Sequence, residues 1–212
     1  MLKENFTANE ILKISPVIAV ISIEKLEDAL PLAYALHKGG INLLEITLRT
    51  KIALKAIEII STNFKEVVVG AGTVLCEEDL ENVIDAGAKF AISPGSTSSL
   101  LKKAKELNFP LIPGVATATE IMSAMEFGYK EFKLFPAMSA GGIDTLKSFQ
   151  GPFKNISFCP TGGINEENFT KFLELKNVLC VGGSWVADKK SIKEKNFTKI
   201  TEIAKRSLSK LS

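Results

Sequence analysis

A short apolar run that returns eight times along 212 residues constrains this chain more than any other feature. The runs occupy residues 17–22, 43–48, 67–70, 89–93, 110–113, 131–135, 156–160 and 178–182. Each is apolar on most positions, as parallel strands covered by helices must be. Turn-forming loops follow them: GAGT (70–73), SPGS (93–96), PGVA (113–116), FPAM (135–138), PTGG (160–163) and GGSW (182–185). Amphipathic segments fill the intervals, so one strand–loop–helix unit recurs about every 20 to 25 residues. Eight such units are expected to close into a small (β/α)8 TIM barrel of the α/β class, as one domain over residues 1–212. The competing open doubly wound sheet more often carries GxGxxG after its first strand, and Ile23-Glu24-Lys25 stand there instead.

The helices announce their ends. Thr117 with Glu120, and Thr7 with Glu10, have the spacing of capping boxes, the second ahead of an extra N-terminal helix. Asn165 is expected to cap a helix that starts at Glu166 and Glu167, whose charges suit a helix N-terminus. Pro31 is expected to kink or restart the helix predicted over 24–38. Residues 51–61 and the C-terminal stretch with Phe197, Ile200, Ala204 and Leu208 also carry one apolar face. The lysines of that last helix permit a membrane-surface reading, but an outer helix of the barrel accounts for it more simply.

Composition excludes several functions. With 26 basic and 24 acidic residues there is no global field to attract nucleic acid or an anionic membrane. Only Arg49 and Arg206 are arginines, too few for an ordinary nucleic-acid reader. His37, the single histidine, cannot build a histidine-rich metal site, and its place before Gly39-Gly40 reads as a helix end. Cys76, Cys159 and Cys180 form no CxxC pair and read as buried small side chains in a reducing compartment. The N-terminus lacks the apolar core of a signal peptide, and no run approaches a membrane span, so a cytoplasmic location is expected.

Chemistry is legible where polar residues interrupt the strands. In LEITLR (44–49) alternation turns Leu44, Ile46 and Leu48 towards the helices and Glu45, Thr47 and Arg49 into the barrel. Two buried charges there are either a structural Glu45–Arg49 pair or an acid–base carboxylate beside a guanidinium fork for an anionic substrate group. In EFKLFP (131–136) one lysine, Lys133, lies among bulky apolar residues. A lysine held inside a barrel is a Schiff-base nucleophile for a ketone, or else a structural partner of Glu45. Thr161-Gly162-Gly163 and Gly182-Gly183-Ser184 follow the last two strands, where this fold repeatedly binds phosphate. There is no GKS or GKT, so a nucleotide P-loop is excluded.

Taken in order, EITLRT (45–50), GAGTV (70–74), SPG (93–95), PGVATATE (113–120), KLFPA (133–137), PTGGI (160–164) and VGGSW (181–185) resemble the 2-keto-3-deoxy-6-phosphogluconate (KDPG) and 4-hydroxy-2-oxoglutarate (KHG) aldolase family. The resemblance spans residues 15–190. It implies a class I aldolase in which Lys133 forms the Schiff base and Glu45 is the general acid–base. It further implies that Arg49 and Thr73 bind the pyruvyl carboxylate and that Pro94 lines its pocket. Thr161 would lie near the aldehyde half, with Gly162, Gly163, Gly182, Gly183 and Ser184 around the phosphate. No metal or cofactor is implied, and a homotrimer is. An aldolase for the phosphogalactonate epimer, or another phosphate-binding barrel such as an isomerase or epimerase, remains as an alternative at this stage.

Overall fold

Prolines bound several of the strands. The computed structural model describes residues 6–211; residues 1–5, on which the expectation of no signal peptide partly rests, lie outside them. Both capping boxes form: the Thr7 and Thr117 hydroxyls accept from the amides of Glu10 and Glu120, whose carboxylates accept in return. The first starts α1 (Ala8–Leu12). Then come β1 (Val17–Ile21), α2 (Ala29–Lys38), β2 (Leu43–Thr47), α3 (Ala53–Asn63) and β3 (Val68–Gly72). The middle of the chain forms α4 (Glu77–Asp85), β4 (Ala91–Ile92), α5 (Ser98–Glu106), β5 (Leu111–Ile112), β6 (Gly114–Val115) and α6 (Ala118–Glu126). The last part forms β7 (Glu131–Leu134), α7 (Gly142–Gln150), β8 (Ser157–Phe158), α8 (Phe169–Leu173), β9 (Val181–Gly183), α9 (Lys189–Lys193) and α10 (Phe197–Ser209).

All pairings are parallel, in the orders β5-β4-β3-β2-β1-β9 and β6-β7-β8. Pro113 separates β5 from β6; it has no amide to donate, but its carbonyl still accepts from Lys133 at 2.9 Å. Pro110 and Pro160 likewise flank two-residue strands where longer runs were expected. Bridges Phe158 to Val178 and Thr161 to Gly182 carry the sheet from β8 towards β9. The result is a curled parallel sheet of TIM-barrel type with helices outside it.

Alternation along the strands divides the interior into two cores. Val17, Ala19, Ile21, Leu44, Ile46, Val69 and Ala71 pack under the helices. Ile18, Leu43, Val68, Phe90, Ile92, Ile112, Cys159 and Cys180 form a second core inside the sheet, joined by Ile11 and Leu12 of α1. Each such fully buried aliphatic side chain contributes about 1.5–3 kcal/mol. Towards the C-terminal strand ends this inner face changes character: register sets Leu43 beside Val68, then Glu45 beside Gly70, then Thr47 beside Gly72. An apolar floor therefore lies under a polar mouth.

Several expectations change in detail. Pro31 falls in the first turn of α2, where its missing amide costs nothing, and a 3₁₀ turn at Leu26–Asp28 precedes it. Asn165 receives the amides of Glu167 and Asn168, but helix α8 begins only at Phe169, so Asn165 organises a turn rather than capping the helix. Cys159 and Cys180 are buried, whereas Cys76 is exposed and its sulfur accepts from the Asp79 amide at the start of α4. His37 lies in the last turn of α2, with Nδ1 2.7 Å from Asn42 Oδ1. Among the described residues, no helix is long and apolar enough to cross a membrane.

Candidate active site

Strand β2 turns Glu45 and Thr47 inward, and both are 1% exposed. Strand β7, 88 residues further along the chain, turns Lys133 to meet them. Lys133 Nζ donates to Glu45 Oε1 at 3.0 Å, and the lysine is 5% exposed. Taking two such charges out of water costs several kcal/mol each, which their attraction offsets only with good geometry. The geometry here is incomplete. Glu45 Oε2 is buried without a hydrogen-bond partner among the described residues. The Phe135 ring centroid, 5.2 Å from Nζ, adds a cation–π contact. One carboxylate oxygen thus holds the amine, and the other keeps its lone pairs free for a donor in the mouth.

Arg49 departs from the expected alternation. The Leu48 amide bonds the Gly72 carbonyl at 2.8 Å, β2 ends at Thr47, and the chain enters a turn before α3. Arg49 is consequently exposed at the rim rather than buried on the inward face, and the Glu45–Arg49 ion pair weighed from the sequence does not form. Arg49 is thus an exposed cation two residues beyond the end of β2.

Thr73 directly follows β3 and has φ 64°. A β-branched residue in the left-handed region is a true outlier, worth about 1–3 kcal/mol of strain. Its neighbours impose it: Gly72 O accepts from Leu48 N, and the buried Val74 donates to Ile92 O at 3.2 Å. Such strain concentrates at functional sites. Pro94 is half-buried after β4, beside Ser93, whose hydroxyl accepts the Gly114 amide at 3.4 Å.

The two glycine loops adjoin each other. Thr161, 6% exposed, bridges to Gly182, and its carbonyl accepts from Ala137 at 2.7 Å. Gly162 and Gly163 have φ 100° and 78°, values that side-chain-bearing residues rarely adopt. Gly182 and Gly183 close β9, and Ser184 is exposed at the following 3₁₀ turn.

The expected site residues therefore run from the middle of their strands to just beyond the C-terminal ends, and Glu45 with Lys133 are in direct contact. A cavity of about 560 Å³ opens on the opposite rim between Thr7, Lys89, Lys105 and Glu131, and one of about 270 Å³ lies between Ser22, Lys25, Lys189 and Lys193. Sequence reasoning missed two supports. Thr47 Oγ1 donates to Ile21 O at 3.0 Å, so the Ser22 hydroxyl, 2.8 Å away, donates to Thr47. Trp185 Nε1 donates to the fully buried Ser207 hydroxyl of α10 at 3.0 Å, fixing the turn after Ser184. Thr47 was readable from strand alternation; a pairing 22 residues apart across a turn and two helices was not.

Known proteins resemble this chain over nearly its whole length. The family profile described as KDPG and KHG aldolase matches residues 8–203. The KHG/KDPG aldolase of Escherichia coli K12 is 48% identical over 202 residues, 95% of each chain. A crystal structure of KDPG aldolase from Legionella pneumophila, in which pyruvate was captured as a covalent carbinolamine, superposes with TM-score 0.94. It is 48% identical, over 95% of this chain and 98% of that one. KDPG aldolase from Zymomonas mobilis gives TM-score 0.92 at 42% identity, over 95% and 96%. A buried lysine–glutamate pair at the mouth of a curled parallel sheet and a family match spanning nearly the whole chain lead to one assignment: this chain belongs to the KDPG and KHG aldolase family.

Proposed function

We propose that this chain is a class I aldolase that cleaves KDPG to pyruvate and glyceraldehyde 3-phosphate, and KHG to pyruvate and glyoxylate. The observation that carries this reading is the buried contact between Lys133 Nζ and Glu45 Oε1 at 3.0 Å. At that distance the carboxylate takes a proton from Nζ and frees the lone pair for attack on the C2 ketone. Glu45 returns the proton as the carbinolamine loses water, leaving an iminium that accepts electrons from the C3–C4 bond. The carboxylate then takes the proton of the C4 hydroxyl, the C3–C4 bond breaks, and the aldehyde leaves. Protonation of the enamine at C3 and hydrolysis of the imine release pyruvate and restore Lys133. The unpartnered Glu45 Oε2 is the acceptor suited to the C4 hydroxyl or to a water relaying its proton.

In this reading Arg49 and Thr73 hold the pyruvyl carboxylate, Arg49 with its planar fork, and Pro94 walls that pocket. Thr161 faces the aldehyde half. The amides of Gly162, Gly163, Gly182 and Gly183, with the Ser184 hydroxyl, cradle the phosphate. The sheet closes into one (β/α)8 barrel domain plugged by α1. The enzyme acts in the cytoplasm as a homotrimer.

Incubation with pyruvate and borohydride, followed by peptide mass mapping, tests the reading. One reduced pyruvyl adduct on Lys133 is expected. No adduct, or an adduct on any other lysine, would overturn it. The phosphate assignment predicts that Ser184→Ala narrows the preference of the enzyme for KDPG over KHG. An unchanged ratio of the two kcat/KM values removes Ser184 from the phosphate site.

A further inference from the structure

Strand β3 shows two glycines to the barrel interior, Gly70 and Gly72, and neither has positive φ. Backbone conformation therefore does not explain why they are glycines. Space does, differently for each. A Cβ on Gly70 would lie 2.4 Å from the Phe90 ring, in the apolar floor. A Cβ on Gly72 would lie 2.1 Å from Glu45 Oε1, and 2.7 Å from both Cδ and Cγ of the same side chain. Those three are its nearest heavy atoms, and all belong to Glu45. Oε1 is also the oxygen that holds Lys133 Nζ.

We infer that Gly72 is a positioning residue for the acid–base carboxylate: its missing side chain is the space through which Glu45 crosses β3 to reach Lys133. The inference rests on the aldolase reading for its activity readout, but the contact it names is independent of that reading. A methyl group at position 72 is accommodated by the backbone, because extended β3 tolerates alanine. It is not accommodated by the carboxylate. The cheapest response is rotation of the flexible Glu45 side chain away from Lys133, which leaves the fold in place and uncouples base from nucleophile.

A double-mutant cycle tests this. Gly72→Ala, Glu45→Ala and the double variant are compared for turnover of KDPG, for the rate of pyruvyl adduct formation at Lys133 under borohydride, for the pH profile and for Tm. With Glu45 present, Gly72→Ala is expected to lower turnover roughly 10²-fold, the scale of lost general acid–base help, and to erase the same pH limb that Glu45→Ala erases. With Glu45 truncated, adding Gly72→Ala should change residual turnover by less than about twofold, because nothing remains to be displaced. Wild-type turnover in Gly72→Ala, or an equal loss in both backgrounds, would overturn the inference. If Gly72→Ala does not fold, the double variant must fold, since the clashing side chain is gone; an unfolded double variant would also overturn it. Absence of an adduct in the unmodified enzyme would instead sink the Schiff-base reading, and the Tm cycle would still decide whether position 72 acts through Glu45.

Discussion

Glu45 meets Lys133 inside the curled sheet with side chains 1% and 6% exposed, whereas Glu166 meets Arg206 on the surface with side chains 25% and 56% exposed. The outer pair has the better geometry. Arg206 donates from Nε and Nη2 to the two Glu166 oxygens at 2.7 and 2.8 Å, and Lys210 adds a third contact at 3.1 Å. The inner pair has a single hydrogen bond and leaves one carboxylate oxygen unpartnered. A structural ion pair saturates its acceptors, because each lone pair left dry costs free energy. Incomplete saturation where desolvation is most costly is what a site kept ready for a substrate requires. The two pairs also divide the arginines by task. Arg206 is locked on Glu166, while Arg49, which has no ion pair among the described residues, stays available at the rim.

The inner pair is the place to look for the largest effect. Lys133→Ala is expected to abolish turnover and adduct formation together. It should also lower stability by about 3–5 kcal/mol, because Glu45 is left charged, buried and alone. Urea denaturation at pH 7 measures the second quantity. A loss under about 1 kcal/mol would mean that water already solvates Glu45 and that the pair is not a dry one.

A second experiment separates cost from function. Replacing both partners by apolar residues of similar size, Glu45→Leu with Lys133→Met, removes the desolvation penalty as well as the attraction. Stability should recover to the unmodified level or exceed it by about 1–4 kcal/mol, with no activity. A double variant less stable than Lys133→Ala would show that the pair is retained for the fold, and the contrast with Glu166–Arg206 would collapse.

How much of this was readable beforehand follows the range of each interaction. Period-two alternation placed Glu45 and Thr47 inward, and an isolated lysine among the bulky apolar residues of EFKLFP marked Lys133, because both signals are local to one strand. The capping boxes at Thr7 and Thr117 were legible for the same reason. Alternation failed at Arg49, since it holds only while the ladder continues, and the Leu48 amide's bond to Gly72 O is the last rung shared with β3. The outer pair was illegible: nothing at Glu166 announces Arg206, 40 residues away on α10, and Glu166 was assigned to a helix start that the structure places at Phe169. The strain at Thr73 was hidden too, because threonine itself gives no sign of a left-handed backbone.

The smallest effect belongs to the outer pair, and its pH dependence gives it a signature. The hydrogen bond from Arg206 holds the Glu166 carboxyl down to about 2, against partial burial that pushes the other way, with Lys210 helping. A carboxylate whose folded value is depressed contributes stability that is fully present above its unfolded value of about 4.3. That contribution is lost as pH falls from there towards 2. Arg206→Ala should therefore cost little stability at pH 7, given how exposed the arginine is. The difference from the unmodified protein should shrink in high salt and close as the carboxyl protonates in acid, because both conditions silence the pair in the unmodified chain. Turnover should stay unchanged throughout. A gap that persists undiminished at about pH 2 would mean that Arg206 acts by packing its stem on α10 rather than by charge. Loss of turnover would mean that the turn it anchors, between PTGG and α8, transmits order to the glycine loop beside Thr161.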